Sequence, residues 1–340
     1  MKNCIVRYYF FIALLLLIFL SACSSGGGDS ETVHFYSPET PDMTKELKKL
    51  YEEQNPDATV EVEYAGTNPL VNKMIAEKQN PNADVWYGGG GFLPFEQAKD
   101  EGIMTEFTPE LAEDWDVVEN DIQMKDEEGM WTGAEIFVLG FAYNTEMVDE
   151  DEAPKTWDDL LDPKWEGQIE MPNPAASGTA TLLVMSQMMD RGEEEAWEYF
   201  DKLNEQVSRM PDSGAQPTKD VAKGEAAIAI GFSFMAYEQK LENNENVDFV
   251  VPEKTPVLVN PVTLIKDGPH PESGKKFINF LLSEEAQEIL ADWYHIPINP
   301  NVEAKTPLSL NEVKEHAMEL DVEWAAENLD RVRKEWDERY

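Results

Sequence analysis

Residues 171–179 read Met-Pro-Asn-Pro-Ala-Ala-Ser-Gly-Thr, and this stretch runs directly into the apolar segment Ala180 to Met189. The two prolines cannot continue a ladder of strand hydrogen bonds, so a short strand over Gln168 to Met171 is expected to end there. The Ser/Gly/Thr cluster then favours the start of a helix, whose first N–H groups have no partner inside the helix. Such a helix start can bind an anion, although a single one is also an ordinary helix cap.

The same order of strand, turn and helix start occurs three more times. The other turns are centred on Ser37, Thr67 and Ser213, each directly after a short apolar or alternating run. Strands that alternate with helices predict an α/β fold, in which ligands bind beyond the carboxyl ends of the strands. We therefore expect the four turns to face one shared cleft, with two turns from each of two lobes.

The N-terminal residues have the pattern of a secretory signal peptide. Two basic residues precede an unbroken apolar run from Tyr8 to Leu20, and small residues then lead to Cys23. The apolar run is too short to span a membrane comfortably, which disfavours a transmembrane anchor. The residues before Cys23 resemble the lipobox of bacterial lipoproteins, which implies removal of residues 1–22 and lipidation of Cys23. Residues 23–31, with three glycines, are expected to form a flexible tether.

Composition excludes several classes of function. The sequence has two cysteines, Cys4 and Cys23, so the processed domain would hold no free thiol for a disulfide, a cysteine nucleophile or a metal. The formal net charge of −41 excludes nucleic acid as a partner and predicts a solvated acidic surface. A hydrophobic content of 42% in 340 residues is enough for the cores of about two domains.

Four consecutive glycines, Gly88 to Gly91, follow the predicted strand Ala83 to Tyr87. The run lacks both the Lys-Ser/Thr ending of a phosphate-binding P-loop and the spacing of a dinucleotide-binding motif. We expect the glycines of this run, Gly88 and Gly89 among them, instead to let the backbone come close to a ligand or to a facing lobe.

No enzyme motif was found in the sequence. The four histidines are scattered, with neither a His-Glu-x-x-His metal motif nor a Gly-x-Ser-x-Gly nucleophile elbow. A secreted hydrolase, the further alternative, would need a base near Ser177; the neighbouring sequence offers none, so the base would have to come from a distant part of the chain. We therefore predict a binding protein that needs no catalytic residue, no cofactor and no bound metal.

Two adjacent segments carry a resemblance to a known family. Residues 156–167 (Thr-Trp-Asp-Asp-Leu-Leu-Asp-Pro-Lys-Trp-Glu-Gly) and residues 171–180 resemble the extracellular solute-binding proteins of ABC importers, within them the ferric-ion, phosphonate and sugar-phosphate group. The resemblance implies the type II periplasmic-binding-protein fold, in which two Rossmann-like α/β lobes are joined by a hinge. It also implies an ABC permease with a cytosolic ATPase as partner, and a position outside the membrane, on a Gram-positive outer face or in a periplasm.

The resemblance further implies a division of the chain. The hinge would lie near Phe137 to Phe141 and Val257 to Pro261. Lobe 1 would comprise residues 32–138 and 261–306, lobe 2 residues 139–260, and residues 307–340 would form C-terminal helices that pack on the lobes.

The turns favour an anionic ligand because clustered N–H and O–H donors bind phosphate, phosphonate or carboxylate groups. Arg209 is a further candidate, either as a bidentate clamp on the anion or as a solvent-facing residue of an alternating strand. The candidate ligand-binding residues are Ser37, Thr67, Gly88, Gly89, Ser177, Gly178, Thr179, Ser213, Gly214, Ala215, Ser233 and Tyr237.

Two alternative ligands remain open. Ferric-ion-binding relatives use adjacent tyrosines after the strand that matches Ala226 to Phe232, and this chain has only Tyr237 there, which disfavours iron unless Tyr36, Glu39 and Tyr237 form a different site. A polyamine or another cation would need acidic and aromatic cleft walls, for which Trp86, Tyr87 and Glu135 are candidates.

Overall fold

The computed structural model describes residues 31–119, 122–308 and 310–340. The predicted signal peptide, the lipidation site at Cys23 and residues 23–30 of the predicted tether lie outside the described residues. Within the described part of the chain, no helix combines the length and the apolar character that crossing a membrane requires.

The strands are short, apart from two that run through the middle of the molecule. They are β1 (Glu31–Ser37), β2 (Ala58–Tyr64), β3 (Val85–Tyr87), β4 (Met104–Thr105), β5 (Val118–Glu119), β6 (Ile122–Gln123), β7 (Thr132–Asn144), β8 (Ile169–Glu170), β9 (Val207–Arg209), β10 (Ile228–Phe232), β11 (Val247–Val250), β12 (Val257–Ile265) and β13 (Ile296–Pro297).

Helices alternate with these strands along most of the chain, as the α/β prediction requires. They are α1 (Pro41–Gln54), α2 (Thr67–Glu77), α3 (Leu93–Asp100), α4 (Gly178–Arg191), α5 (Glu193–Gln206), α6 (Gln216–Ala222), α7 (Ser233–Tyr237), α8 (Pro271–Leu281), α9 (Glu284–Asp292), α10 (Leu310–His316) and α11 (Val322–Arg339).

The strands form two groups that share the long strand β7. The strand order is β2-β1-β3-β12-β7-β10-β8-β9, in which β1 runs parallel to β2 and β3, and β8 runs parallel to β9 and β10. The first part of β7 pairs with β12, and from Leu139 onward it pairs with β10 and β11. We name the unit built on β1–β4, β12 and β13 the first lobe, and the unit built on β8–β11 the second lobe.

The connection between the lobes is buried. All thirteen residues of β7 and all nine residues of β12 are buried, as expected for strands that are covered on both faces. The two segments in which the sequence places the hinge are paired with each other, since Val257 of β12 lies opposite Val138 of β7.

Aromatic residues fill the core of the first lobe. The ring of Phe277 lies 5.0 Å from the rings of both Phe35 and Tyr51, which joins α8 and α1 to β1. Trp86 and Tyr87 are both fully buried, and Trp86 stacks on Phe95 with ring centres 3.8 Å apart. These two residues of β3 are therefore core aromatics, as their position in a short apolar strand favours.

The C-terminal helix α11 touches both lobes. It packs on α3 of the first lobe and on α4 of the second, and it buries Ala325, Leu329, Val332 and Trp336. The spacing of these four residues places them on one face of the helix. This apolar face explains why a helix of mostly charged residues docks on the rest of the molecule.

Candidate functional site

A cavity of about 500 Å³ opens between the two lobes. The first lobe contributes the loops that follow β1, β2 and β3, and the second lobe contributes the loops that precede α4 and α6 and the start of α7. Eight of the twelve residues predicted from the sequence line this cavity: Thr67, Gly89, Ser177, Gly178, Thr179, Ser213, Gly214 and Ala215.

The other four predicted residues lie outside the lining. Ser37 is fully buried, and its Oγ accepts a hydrogen bond of 3.1 Å from the N–H of Glu39, which shapes the loop after β1. Gly88 donates its N–H to the carbonyl of Pro261 at 3.0 Å. Ser233 and Tyr237 are buried within α7, because the cavity is faced instead by Phe232, Phe234 and Met235.

The start of α4 presents unused donors to the cavity. The first main-chain bond of the helix joins the N–H of Thr181 to the carbonyl of Ser177 at 3.0 Å, so the N–H groups of Gly178, Thr179 and Ala180 precede the helical bonding pattern. The Ser177 hydroxyl does not cap the helix. Among the described residues, the hydroxyls of Ser177, Thr179 and Ser213 make no hydrogen bond to other protein groups. These groups can all donate to a bound molecule.

The glycine run brings the two lobes into direct contact. A Cβ atom added to Gly178 would lie 2.1 Å from the carbonyl oxygen of Gly89, and one added to Gly90 would lie 2.9 Å from the carbonyl carbon of Gly178. All four glycines of the run have positive φ, which other residues rarely adopt. The run therefore allows a close approach to the facing lobe, as the sequence predicts.

A buried acid faces the cavity from the first lobe. Glu39 Oε1 accepts hydrogen bonds from Asn260 Nδ2 at 2.8 Å and from the N–H of Gly89 at 3.3 Å, and burial raises the pKa of Glu39. Among the described residues, Oε2 of Glu39 accepts no hydrogen bond. This second oxygen can receive a donor from a bound molecule.

A second acid lies behind Glu39. The same Asn260 Nδ2 donates to Glu135 Oε1 at 2.8 Å, and burial together with the nearby Glu39 raises the pKa of Glu135 well above its usual range. His295 Nδ1 lies 3.6 Å from Glu135 Oε1, its ring stacks on Phe234 at 4.0 Å, and burial lowers the pKa of His295 to about 3. His295 is therefore neutral at neutral pH, so the buried cluster of Glu39, Asn260, Glu135 and His295 is polar but carries no cationic side chain.

Lys219 is a cationic lining residue that the sequence analysis missed. It lies on α6, four residues after Ala215. Among the described residues it makes no direct ion pair, although its charge acts on the nearby carboxyl groups of Asp42 and Glu238. Its position at helical spacing from the Ser213 turn is the signal in the sequence that could have identified Lys219. Asn260 was also missed, since nothing in the apolar run of β12 marks it as a cavity residue.

Arg209 does not enter the cavity. It forms ion pairs with Glu170 at 3.2 Å and with Asp220, and Glu225 lies 3.9 Å away. Its side chain is 49% exposed, which agrees with the solvent-facing alternative for a residue of a short edge strand.

The residues considered for a cation or for iron do not form a site at the cavity. Trp86, Tyr87 and Glu135 are buried outside the lining. Tyr36 donates its hydroxyl to Glu77 at 3.1 Å, so of the set Tyr36, Glu39 and Tyr237 only Glu39 faces the cavity. Within the described ranges, no group of three or more His, Cys, Asp or Glu side chains is arranged to hold a metal ion.

Sequence comparisons identify relatives over most of the chain. The family model described as bacterial extracellular solute-binding protein matches residues 80–326. An uncharacterised protein of Haemophilus influenzae is 32% identical over 229 residues, which cover 66% of this chain and 65% of that protein. A putative 2-aminoethylphosphonate-binding periplasmic protein of Salmonella typhimurium is 27% identical over 252 residues, or 72% of this chain and 71% of that protein.

Solved structures confirm the predicted fold. The periplasmic binding protein AfuA from Actinobacillus pleuropneumoniae, with fructose-6-phosphate bound, has a TM-score of 0.82 and 28% identity, and the match covers 90% of this chain and 98% of AfuA. Iron-bound HitA from Pseudomonas aeruginosa has a TM-score of 0.78 over 90% of this chain and 99% of HitA, and at 22% identity it supports the fold alone. The chain therefore belongs to the bacterial extracellular solute-binding proteins, the binding components of ABC importers, and it is a binding protein rather than an enzyme.

Proposed function

We propose that the cavity between the lobes captures a small anionic solute that carries a phosphate or phosphonate group, such as a phosphonate, an organophosphate or a sugar phosphate. The observation that carries this proposal is the convergence of free donors on one cavity. Three main-chain N–H groups at the start of α4 and the hydroxyls of Ser177, Thr179 and Ser213 have no partner among the described residues. Several donors at one point suit an acceptor with three oxygens.

Electrostatics support an anion at this point. The aligned peptide dipoles of α4, a helix of 14 residues, place partial positive charge at its N-terminus. Lys219 adds a full positive charge from the neighbouring helix. The net charge of −41 repels an approaching anion, but at physiological salt this field is screened within about 8 Å, so the donors inside the cavity govern binding.

Glu39 supports a solute that carries a hydrogen-bond donor as well as the anionic group. Glu39 lines the cavity from the first lobe, its Oε2 has no partner among the described residues, and the donors at the start of α4 belong to the second lobe. A sugar phosphate would offer a hydroxyl there and an aminoalkylphosphonate would offer an ammonium group. Both classes agree with the relatives, since AfuA holds fructose-6-phosphate and the Salmonella protein is named for 2-aminoethylphosphonate.

We further propose that the processed chain begins at Cys23, is held at the membrane by lipid on that residue, and delivers the solute to an ABC permease with a cytosolic ATPase. In this proposal residues 32–138 with 261–306 and residues 139–260 move as two lobes about the paired strands β7 and β12. Replacing Cys23 by Ala should abolish labelling with radioactive palmitate and release the protein from the membrane fraction. Retained labelling would contradict the lipid anchor.

The solute class can be tested by native mass spectrometry of freshly purified protein, followed by thermal shifts with fructose-6-phosphate, 2-aminoethylphosphonate, Fe³⁺ and spermidine. A phosphate or phosphonate probe should raise the melting temperature by mass action, and the double variant S177A/T179A should reduce that shift. S186A is the matched control, because Ser186 lies on the same helix but bonds to the carbonyl of Leu183. If only Fe³⁺ raised the melting temperature, and S177A with S213A left that shift unchanged, the proposed anionic solute would be wrong. The protein would then be an iron carrier.

A further inference from the structure

Arg333 lies on the C-terminal helix α11 at the point where this helix passes between the lobes. The end of α11 is held on the second lobe by Trp336, which is buried against Trp197 and Phe200 with ring centres 6.2 and 5.2 Å away. Arg331, two residues before Arg333, pairs with Glu193 of the second lobe at 2.6 Å. Arg333 itself points away from these contacts.

The guanidinium of Arg333 reaches the first lobe and meets neutral amides there. Its Nη2 donates to Asn68 Oδ1 at 2.6 Å, and its Nη1 donates to Gln97 Oε1 at 3.1 Å. The side chain is 15% exposed, and the nearest carboxylate oxygen, of Asp330, is 4.0 Å away. A buried guanidinium that bonds to neutral amides makes little ion-pair contribution to stability. Its hydrogen bonds instead fix the orientation of those amides.

Asn68 is bonded on both ends of its side-chain amide, by two different parts of the molecule. Its Oδ1 accepts from Arg333, and its Nδ2 donates to the carbonyl of Ala175 at 3.0 Å across the gap between the lobes. The amide is planar, so a guanidinium that fixes Oδ1 also fixes the direction of Nδ2. Ala175 precedes Ser177 by two residues, and Asn68 follows the lining residue Thr67, so this bridge lies at the edge of the solute cavity.

We propose that Arg333 is a positioning residue for solute capture, which orients Asn68 so that its amide holds the first lobe against the Ala175 carbonyl of the second lobe. Among the described residues, Arg333 makes no hydrogen bond to a residue that lines the cavity, and it acts through Asn68. Loss of the guanidinium frees the amide to rotate, and the bridge to Ala175 then forms in only part of the population. We expect the closed arrangement to become up to about tenfold less populated relative to the open one, as expected when one hydrogen bond between neutral groups is lost.

The inference rests on the proposed function only for its effect on affinity, so the main test uses protein without ligand. Spin labels would be placed at Lys49 on α1 and Lys202 on α5, which are exposed positions on different lobes, after Cys4 and Cys23 are replaced by serine in the full chain. Pulsed electron paramagnetic resonance then measures the distribution of distances between the lobes. In a Q97A background, which removes the other bond of Arg333 to the first lobe, R333Q and N68A should both broaden it toward longer distances, and the combination should broaden it no further than N68A alone.

R331Q is the matched control, because Arg331 lies on the same helix and, within the described part of the chain, bonds only to the second lobe and to α11 itself. Its distance distribution should equal that of the wild type. R333K keeps the charge but loses the two-pronged geometry, so its distance distribution should have an intermediate width. This variant replaces R333Q in the test if circular dichroism shows that R333Q folds poorly. In the Q97A background, a distribution unchanged by R333Q, or additive effects of R333Q and N68A, would overturn the inference.

Isothermal titration separates this inference from the proposed function. If fructose-6-phosphate or 2-aminoethylphosphonate binds the wild type, R333Q should weaken that binding by up to about tenfold while R331Q changes it less than twofold. If neither probe binds, the proposed solute class fails, but the distance measurements still decide the role of Arg333.

Discussion

The carboxylate of Glu39 accepts a hydrogen bond of 2.8 Å from the side-chain amide of Asn260, which lies 221 residues further along the chain. This bond joins the loop after β1 to the strand β12 that connects the lobes. It occupies one carboxylate oxygen of Glu39, and the other oxygen accepts no hydrogen bond from the described residues. This arrangement supports the proposal that an acceptor on the first lobe and donors on the second lobe bind the solute.

Replacing Glu39 by Ala should therefore weaken solute binding. The solute would lose an acceptor for its hydroxyl or ammonium group, and an unpaired buried donor costs about 1–3 kcal/mol, or roughly five- to 150-fold in affinity. Isothermal titration with whichever of fructose-6-phosphate and 2-aminoethylphosphonate stabilises the wild type measures the effect. E61Q on the exposed face of β2 is the control, and equal affinities for E39A and E61Q would contradict the role of Glu39.

Replacing Gly178 by Ala should prevent the lobes from closing on the solute. The added methyl group would lie 2.1 Å from the carbonyl oxygen of Gly89, a backbone atom that cannot move aside unless the lobes separate. We expect affinity to fall by about tenfold or more, while the ligand-free protein remains folded because alanine suits a helix better than glycine.

The control for this steric effect is G167A. A Cβ atom there meets open space, but the φ of +65° strains any other residue, so G167A should lower the melting temperature without changing affinity. Tight binding by G178A, measured by the same titration, would show that the contact between Gly178 and Gly89 is not part of the bound state.

Lys219 should contribute through its charge. K219Q is expected to weaken binding of an anionic probe by about 0.5–1 kcal/mol at low salt, or roughly two- to fivefold, and to weaken it less as salt is raised, because the interaction is screened. K223Q removes the same charge from an exposed position just beyond the same helix and outside the cavity lining. A titration series from 20 mM to 500 mM salt compares the two, and identical salt dependence in both variants would rule out a direct contact of Lys219 with the solute.

His295 should make the fold sensitive to acid. Burial lowers its pKa from 6.5 to about 3 in the folded protein, so between these values the unfolded chain takes up a proton that the folded protein excludes. The wild type should lose about 1.4 kcal/mol of unfolding free energy per pH unit, relative to H295F, as pH falls from about 6 to 4. Above pH 6.5 the difference between the two proteins should be constant.

Denaturant titrations at pH 7, 6, 5 and 4 measure this difference. The buried acids Glu39 and Glu135 act in the opposite direction, since their raised pKa values favour the folded state as pH falls, but both proteins contain them and their effect largely cancels. A pH-independent difference between wild type and H295F would show that His295 takes up a proton in the folded protein.

Prediction from the sequence worked best where function depends on local chain geometry. The Ser177, Thr67 and Ser213 turns were recognisable because prolines, glycines and hydroxyl residues end strands and begin helices, and all three line the cavity. The Ser37 turn has the same pattern, yet Ser37 is buried, and its neighbour Glu39 faces the cavity instead. A turn pattern predicts where the chain bends, but it does not predict which of two nearby side chains points outward.

The sequence by itself determined the α/β class, the family and the positions of the turns, because hydrophobic periodicity and turn chemistry are properties of neighbouring residues. Only the tertiary structure decided that Asn260 joins Glu39 to Glu135, that Lys219 replaces Arg209 as the cation at the cavity, and that Arg333 reaches Asn68. Each of these relationships links residues from separate elements, or depends on which face of an element meets the cavity. Such contacts follow from how the lobes and the C-terminal helix pack together, which no local pattern of residues encodes.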